Sequence, residues 1–561
     1  QPNGRAIGIV NAVSGEELKR QSLDYSIVFE TVHTTRKTLA VDDLISLPKN
    51  TAIAHTYSQA NNQGKIAAIA AQFFKDRGPV IIMHSRPDWV WALAQHLKID
   101  PNKEQQVHPD VKLLQDYLRL ELGQNFPLIE LLDYGIAVHH SGLPEEVRSL
   151  VEWLFENSRL KFLVATTTIA QGINFPVSGV IMASHQYFSK KGAKDMPPED
   201  FWNIAGRAGR VSQGQLGVVA LAADSEDKGK ILKDFINKQI ANLNSALVQL
   251  AVEAADKLKD LGKIVYSKPE WSSFLQYLAH TYQQMGKPDS YFQQIEQVLR
   301  GTFGFEKLRI GHSEIAQTLL SGIETYTNYL KESGQPLKLV DSTGFSLQSV
   351  NTVLTHRGNI DENSWDADKL YASDNTILKD MMGILLRVPE LRNNLEAVTG
   401  GNKSDGTKLA LILKDWVGGA SIPEIASRYF QEEGKTDVDA ITKCGQNLFG
   451  KLTQTASWGL GALLAITGTN LSEEEFKELS NLPARAFYGV NSDKAIIFRL
   501  LGIPRTVASK IASELDQYAS EPLPKLRNRL SNLSDADWNR AIGIDGVIFR
   551  KVWRILEGLA Y

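Results

Sequence analysis

Between residues 62 and 229 the chain alternates short, continuously apolar runs with helix-length amphipathic segments. The runs are VIIM (80–83), IAV (136–138), FLVA (162–165), VIM (180–182) and VVAL (218–221). Between them, RPDWVWALAQHLK (86–98) and PEEVRSLVEWLFEN (144–157) repeat apolar residues at intervals of three and four. A strand that is apolar on both faces must be covered on both, so the pattern predicts a parallel sheet flanked by helices. Residues 1–61 show shorter alternations, AIGIVNAV and YSIVFETVH, without catalytic signature. They read as the remnant of a preceding domain and a connector.

After residue 230 the apolar period is almost wholly helical, as in KILKDFINKQIANLNSALVQLAVEAADKL and SEIAQTLLSGIETYTNYLKE. LKLVDSTGFSLQSVNTVL (337–354) predicts helix, turn at Gly344, helix. LALILKDWVGGASIPEIASRYF predicts a helix pair broken at Gly418 and Gly419. AIIFRLLGIPRTVASKIASEL (495–515) predicts two helices joined by a hairpin at Gly502 and Pro504. A tight glycine turn of this kind can expose backbone amides to a phosphate, with Arg505 and Lys510 flanking it. DNA contact and plain structure are both open for this hairpin. The tail carries Lys525, Arg527, Arg529, Arg550, Lys551 and Arg554 beside Trp538 and Trp553.

The composition narrows the class only slightly. The 561 residues are 43% hydrophobic and 22% charged, an ordinary globular balance. A net charge of −3 means that nucleic-acid contact must come from local basic clusters. The single cysteine, Cys444, excludes an internal disulfide framework and favours a reducing, cytoplasmic setting. The 11 histidines lack cysteine partners and show no metal-ligand spacing. No apolar run approaches a membrane span. QPNGRAIGIV has no initiator methionine and no signal-peptide pattern, which predicts a start inside a longer protein.

One short stretch carries unusual chemistry. FWNIAGRAGR (201–210) follows Pro197, Pro198, Glu199 and Asp200, residue types that begin a helix. A helix through it would set Arg207 and Arg210 one turn apart on one face, among Ala205, Gly206, Ala208 and Gly209. Two guanidinium groups on so bare a turn can approach an anion closely. Three further segments end apolar runs: MHSRPD (83–88), VHHSGLP (138–144) and VATTTIAQGINFP (164–176). In an open parallel sheet, loops after the carboxyl ends of strands line one crevice.

The order and spacing of these four segments resemble the second RecA-like domain of superfamily two helicases. The branch is that of Ski2-like, exosome-associated RNA helicases and archaeal DNA-repair helicases. The segments look like its motifs IV, IVa, V and VI. The resemblance implies that Arg207 and Arg210 face the γ-phosphate of ATP, where a fixed guanidinium stabilises the charge of phosphoryl transfer. It places Gly172, Asn174, Asn203 and Gly206 on the nucleotide side, although many relatives have glutamine where Asn203 stands. Ser85, Arg86, His140, Ser141, Gly142, Thr166 and Thr168 resemble the side that grips strand phosphates; packing and phosphate contact are both open for His140. ASHQYFSKKGAKDMPPEDF (183–201) suggests a hairpin bearing Tyr187 and Phe188, where relatives carry a strand-separating pin; packing and base stacking are both open for these rings.

The resemblance divides the chain into a remnant of the preceding RecA-like domain and connector (1–61), a second RecA-like domain (62–229), a winged-helix-like domain (230–358), a helical ratchet-like bundle (359–480), and a helix-hairpin-helix with basic helices (481–561). The expected fold is therefore an α/β RecA-like parallel sheet followed by mostly α-helical domains. The sequence contains neither GxxxxGK[ST] nor an acidic box after an apolar strand. GGNKSDGTK (400–408) and DEN (361–363) imitate them only by composition. The expectation is thus the C-terminal half of an ATP-dependent helicase or translocase. It would act 3′ to 5′ on single-stranded or partly duplex nucleic acid, with ATP and Mg2+ held mainly by a missing N-terminal RecA-like domain, in the same protein or a separate subunit. This chain alone is expected to be inactive. FWNIAGRAGR, LKDWVGG and YGVNSDKAIIFRLLGIPR also resemble large bacterial helicases of anti-phage defence, such as the Hachiman type, which a nuclease-like subunit accompanies. A DNA-repair helicase and a non-catalytic, helicase-like scaffold are the alternatives.

Overall fold

The structure is a computed structural model that describes residues 5–14, 25–34, 44–46, 53–54, 62–98, 103–167, 177–189, 192–206, 208, 217–238, 246–332, 334–358, 360–366, 369–372, 376–401 and 406–559. They fall into two compact units. The first comprises Gln1–Ala241, Ala426–Gln446 and Arg527–Tyr561; the second comprises Asn242–Ile425 and Asn447–Leu526.

The first unit is built on one sheet. Its strands are β1 (Arg5–Ser14), β2 (Tyr25–Thr34), β3 (Leu44–Ser46), β4 (Ile53–Ala54), β5 (Val80–Met83), β6 (Ile136–His139), β7 (Phe162–Ala165), β8 (Gly179–Met182) and β11 (Gly217–Ala223). A separate hairpin pairs β9 (Gln186–Ser189) with β10 (Gly192–Asp195). The sheet order is β3-β2-β1-β11-β8-β5-β7-β6, with β4 on β2. Every pairing from β1 to β6 along this path is parallel, while β2, β3 and β4 run antiparallel. The five apolar runs read from the sequence are β5, β6, β7, β8 and β11, and every residue of each is buried, as both faces of the sheet are covered.

Helices begin where the sequence supplies caps. They are α1 (Gln63–Phe74), α2 (Pro87–Leu97), α3 (Pro109–Leu122), α4 (Pro127–Leu132), α5 (Glu145–Glu156), α6 (Pro198–Ala205) and α7 (Glu226–Asn237). Asn62 accepts from the Lys65 amide at 2.9 Å to start α1, and Ser225 accepts from the Lys228 amide to start α7. Proline opens α2, α3, α4 and α6, where its fixed φ suits the first turn and its missing N–H goes unneeded.

Residues 1–61 differ from the sequence expectation. Arg5 to Asn11 of β1 pair in parallel with Gly217 to Ala223 of β11, so this described strand is an integral part of the same sheet. The ring of His33 on β2 meets Trp202 of α6 edge-on at 5.3 Å. The tail boundaries differ as well. Residues 426–446 and 527–561 belong with the sheet, because Gly445 seats against Gly142 and Phe549 meets Tyr117 at 5.7 Å.

The second unit is helical, and no strand occurs among its described residues. Residues 246–332 and 334–358 are helical, with no strand among them. The turn at Gly344 is present: Leu337–Thr343 ends there with φ +70°, and Leu347–His356 follows. Thr407–Val417 ends at Gly418, and Gly419 takes φ +92°. Asp493–Leu500 and Arg505–Glu514 form the hairpin predicted around Gly502. The buried helix Thr453–Thr467 lies at the centre of this unit. Among the described residues no helix is long and apolar enough to cross a membrane.

Candidate nucleotide and nucleic-acid site

The carboxyl ends of β5, β6 and β7 bring three of the four chemical segments side by side. The His84 amide after β5 donates to the Ala165 carbonyl of β7 at 3.1 Å, and the Thr166 amide donates to the His139 carbonyl of β6 at 3.1 Å. The ladder thus continues one residue past each strand, fixing where the loops leave it.

After β5, His84 is buried and its Nδ1 accepts from the Arg86 amide at 3.2 Å. Burial, assisted by the neighbouring Arg86 charge, lowers its pKa to about 4, so the ring is neutral. Ser85 is half-buried, and its Oγ is shielded from solvent with no hydrogen-bond partner among the described residues, so it offers no open grip as it stands. Arg86 stands exposed in extended backbone before α2 and pairs with Asp88 at 2.9 Å. An exposed pair of this kind is weak enough to exchange for a phosphate.

After β6 the picture differs from expectation. His140 is fully buried, not a surface ligand. Its Nδ1 accepts from the Gly142 amide at 3.0 Å, and burial, with smaller contributions from His139 and Arg148, lowers its pKa to about 3. Gly142 is buried too: a Cβ there would meet the Thr442 carbonyl oxygen at 2.7 Å. These two residues shape the loop and leave Ser141 exposed at its tip. Thr166 after β7 is likewise buried, so its side chain offers no open grip. Burial at the ends of adjacent strands, invisible in a one-dimensional pattern, removed His140, Gly142 and Thr166 from the surface.

The arginine-bearing loop follows α6. That helix ends at Ala205, Gly206 caps it, and Ala208 forms a parallel bridge with Val177. The described helix therefore ends before the two arginines. Arg207, Arg210, Gly172, Asn174 and Thr168 lie outside the described residues. Asn203 is exposed on α6 and Gly206 is half-buried. One contributor went unread in the sequence: Arg5 of β1 donates Nε to the Ala208 carbonyl at 2.8 Å and Nη2 to the Gly206 carbonyl at 2.9 Å. Nothing in RAIGIV signals that role, because it depends on β1 lying next to β11.

The hairpin of β9 and β10 sends its two aromatic residues different ways. Tyr187 donates its hydroxyl to Asp200 Oδ2 at 3.0 Å, and burial together with that carboxylate raises its pKa to about 12. Phe188 faces outward, 42% exposed. Strand alternation makes Tyr187 an anchor and leaves Phe188 at the surface.

In the second unit, Arg505 is held internally. It donates to the carbonyls of Trp416 at 3.0 Å and Ala420 at 2.6 Å, and its guanidinium lies 4.0 Å over the Trp416 ring. This side chain braces the hairpin and does not flank a strand, the structural one of the two readings open for it. Lys510 is exposed. Among the described residues no group of three or more His, Cys, Asp or Glu side chains is placed to share a metal ion.

Comparison with known proteins agrees with this geometry. Residues 108–212 match the helicase conserved C-terminal domain family. The chain is 24% identical over 514 residues to Hachiman protein HamB of Bacillus cereus, covering 86% of this chain and 45% of that protein. It is 29% identical over 198 residues to ATP-dependent DNA helicase Hel308 of Methanocella arvoryzae, covering 33% and 26%. The chain resembles a Ski2-like superfamily two helicase. Antiviral helicase SKI2 of Saccharomyces cerevisiae is a further relative, 38% identical over 126 residues, or 22% of this chain and 10% of that one. The chain thus spans less than half the length of each of these relatives. The 108–212 match contains the loop of His140 to Gly142, Thr166, the hairpin and Arg207 with Arg210.

Proposed function

We propose that this chain is the strand-gripping and arginine-bearing half of an ATP-dependent nucleic-acid helicase or translocase. The observation that carries the reading is the convergence of the loops after β5, β6 and β7 at one edge of a parallel sheet. The loop containing Arg207 is tied into the same sheet by Arg5. In this reading Arg207 and Arg210 stabilise the charge on the γ-phosphate of ATP, while Gly172, Asn174, Asn203 and Gly206 line the nucleotide side. The phosphate cradle and the carboxylates for Mg2+ come from a RecA-like domain outside this sequence, because no GxxxxGK[ST] is present.

Arg86, Ser141 and Thr168 hold strand phosphates, with the buried Ser85 hydroxyl beneath them, and these contacts carry no base information. His140 and Gly142 act as positioning residues for Ser141. Phe188 stands at the hairpin where a single strand would leave a duplex, with movement 3′ to 5′. Similarity over 86% of the chain to a Hachiman protein supports a setting in anti-phage defence, with a nuclease-like companion subunit.

Arg210→Ala in the protein extended to include its nucleotide cradle tests the reading. Strand-stimulated ATP hydrolysis should fall by about 10³-fold or more while strand binding is retained. Unchanged hydrolysis would support the non-catalytic scaffold instead.

A further inference from the structure

Trp89 has no place in the reading so far. It stands in the first turn of α2, three residues after Arg86, and is 51% exposed although indole is among the larger apolar side chains. Its ring centroid lies 4.6 Å from that of His84 and 6.3 Å from that of Phe188. The His84 and Phe188 rings are nearly parallel, 14° apart at 6.4 Å. Three rings from two separate segments, the end of β5 with α2 and the outward arm of the hairpin, thus form one aromatic surface. Two of the three are open to solvent.

A cleft of about 440 Å³ opens beside this surface, a size ordinary for small-ligand sites. It sits at the carboxyl edge of the sheet, next to the ends of β5, β8 and β11, the region where open parallel sheets bind ligands. Its polar lining comes from Asn62, Gln63, His96 and Asp224. The Asn62 carbonyl oxygen is occupied by the Lys65 amide, and the Gln63 amide nitrogen by the Ala222 carbonyl at 2.8 Å. That leaves an Asn62 N–H donor, a Gln63 oxygen acceptor and the Asp224 carboxylate, one oxygen of which accepts from the Ser225 hydroxyl at 3.5 Å, to address a ligand. Burial of His84 and His96 keeps both rings toward the neutral side, so the aromatic wall is not a cationic one.

A π-faced wall beside a cleft with mixed donors and acceptors matches a flat heterocycle with a hydrogen-bonding edge. A nucleobase in an unstacked strand presents that combination, and Arg86, one turn away, suits its phosphate. We propose that Trp89, backed by His84 and Phe188, is the stacking wall of a pocket that receives one unpaired base of a single strand. The inference rests on the reading that this chain grips a single strand, and it adds a base contact to what were phosphate contacts alone.

The test uses the purified 561-residue chain and two fluorescent single strands of equal length, oligothymidylate and a backbone of abasic residues, read by anisotropy. Trp89→Ala should weaken binding of oligothymidylate about tenfold and leave the abasic strand unchanged. Trp89→Phe, which keeps a stacking face, should stay within about twofold, and Phe188→Ala should show a smaller loss of the same kind. Arg86→Ala should weaken both strands alike. Equal losses on both strands for Trp89→Ala, or no loss on either, overturn the pocket and leave the strand-gripping reading standing. Failure of the unaltered chain to bind either strand overturns that reading and the pocket with it. Circular dichroism melting of Trp89→Ala distinguishes a binding loss from an unfolded protein.

Discussion

Arg5 holds the backbone on both sides of Arg207: its guanidinium donates to the Gly206 carbonyl at 2.9 Å and to the Ala208 carbonyl at 2.8 Å. A fork bonded to two carbonyls fixes both position and orientation of the segment between them, which a single ammonium cannot do. Strand β1, between β2 and β11 in the sheet, thereby holds the backbone at Gly206 and Ala208.

Arg5→Ala should therefore lower strand-stimulated ATP hydrolysis of the full-length protein by about 10- to 100-fold, the range expected when a catalytic group is misplaced by an ångström. Strand affinity should stay within about twofold. Arg5→Lys should not restore the rate. Steady-state hydrolysis beside anisotropy checks this, and an unaltered rate would show that the loop holds its place without Arg5.

Gly445 and Gly142 approach so closely that a Cβ on Gly445 would fall 1.9 Å from the Gly142 carbonyl oxygen. Nearby, Trp91 donates its indole N–H to Thr442 Oγ1 at 3.1 Å in a buried setting. Gly445→Ala should destabilise the first unit by about 1–3 kcal/mol, through forced displacement of the helix Asp437–Asn447. Thr442→Val should cost about 1 kcal/mol by stranding the indole donor. Thermal melts measure both; a Gly445→Ala protein as stable as the unaltered one would rule out the close seat.

Arg505 is expected to matter for folding and not for nucleic acid. Arg505→Ala removes a cation stacked on Trp416 and strands two carbonyls, a loss of about 2–3 kcal/mol. At temperatures where the variant is folded, its strand affinity should equal that of the unaltered chain. Lys510→Ala should leave stability within about 0.5 kcal/mol. A selective binding loss for Arg505→Ala would return that residue to the interface.

His84 and His140 set a pH response. Burial holds their folded pKa values at about 4 and about 3, below the ordinary histidine value of about 6.5. The unfolded chain therefore binds more protons in that window, and stability falls as pH drops. The contribution is complete above about pH 6.5. It declines by up to about 1.4 kcal/mol per pH unit for each ring as pH falls toward 4. Urea melts between pH 7 and 4.5 should show the decline, and His140→Gln should make it shallower. A slope unchanged by that substitution would place the protons elsewhere.

Much of the fold was legible in the residues. Each of the five apolar runs became a parallel strand, and the Pro-Pro-Glu-Asp start became the first turn of α6. Gly344 and Gly502 take the positive φ that their turns require. These are local properties, encoded within one or two turns of chain. The candidate site was legible only as a set of segments, because a strand end does not reveal which of its side chains the neighbouring strand covers. His140 and Arg86 both follow a strand by one to three residues, yet one is buried and the other exposed.

By itself, the sequence determined the periodic elements, their caps and the chemical types available after each strand. Those depend on neighbours a few residues away. Tertiary structure decided which of these groups meet: β1 beside β11, Gly445 against Gly142, Arg505 over Trp416, and Trp89 beside Phe188. The partners in these contacts are separated by roughly 90 to 300 residues, and pairing at that distance follows from which apolar edge or small-residue surface remains uncovered once the local elements have formed.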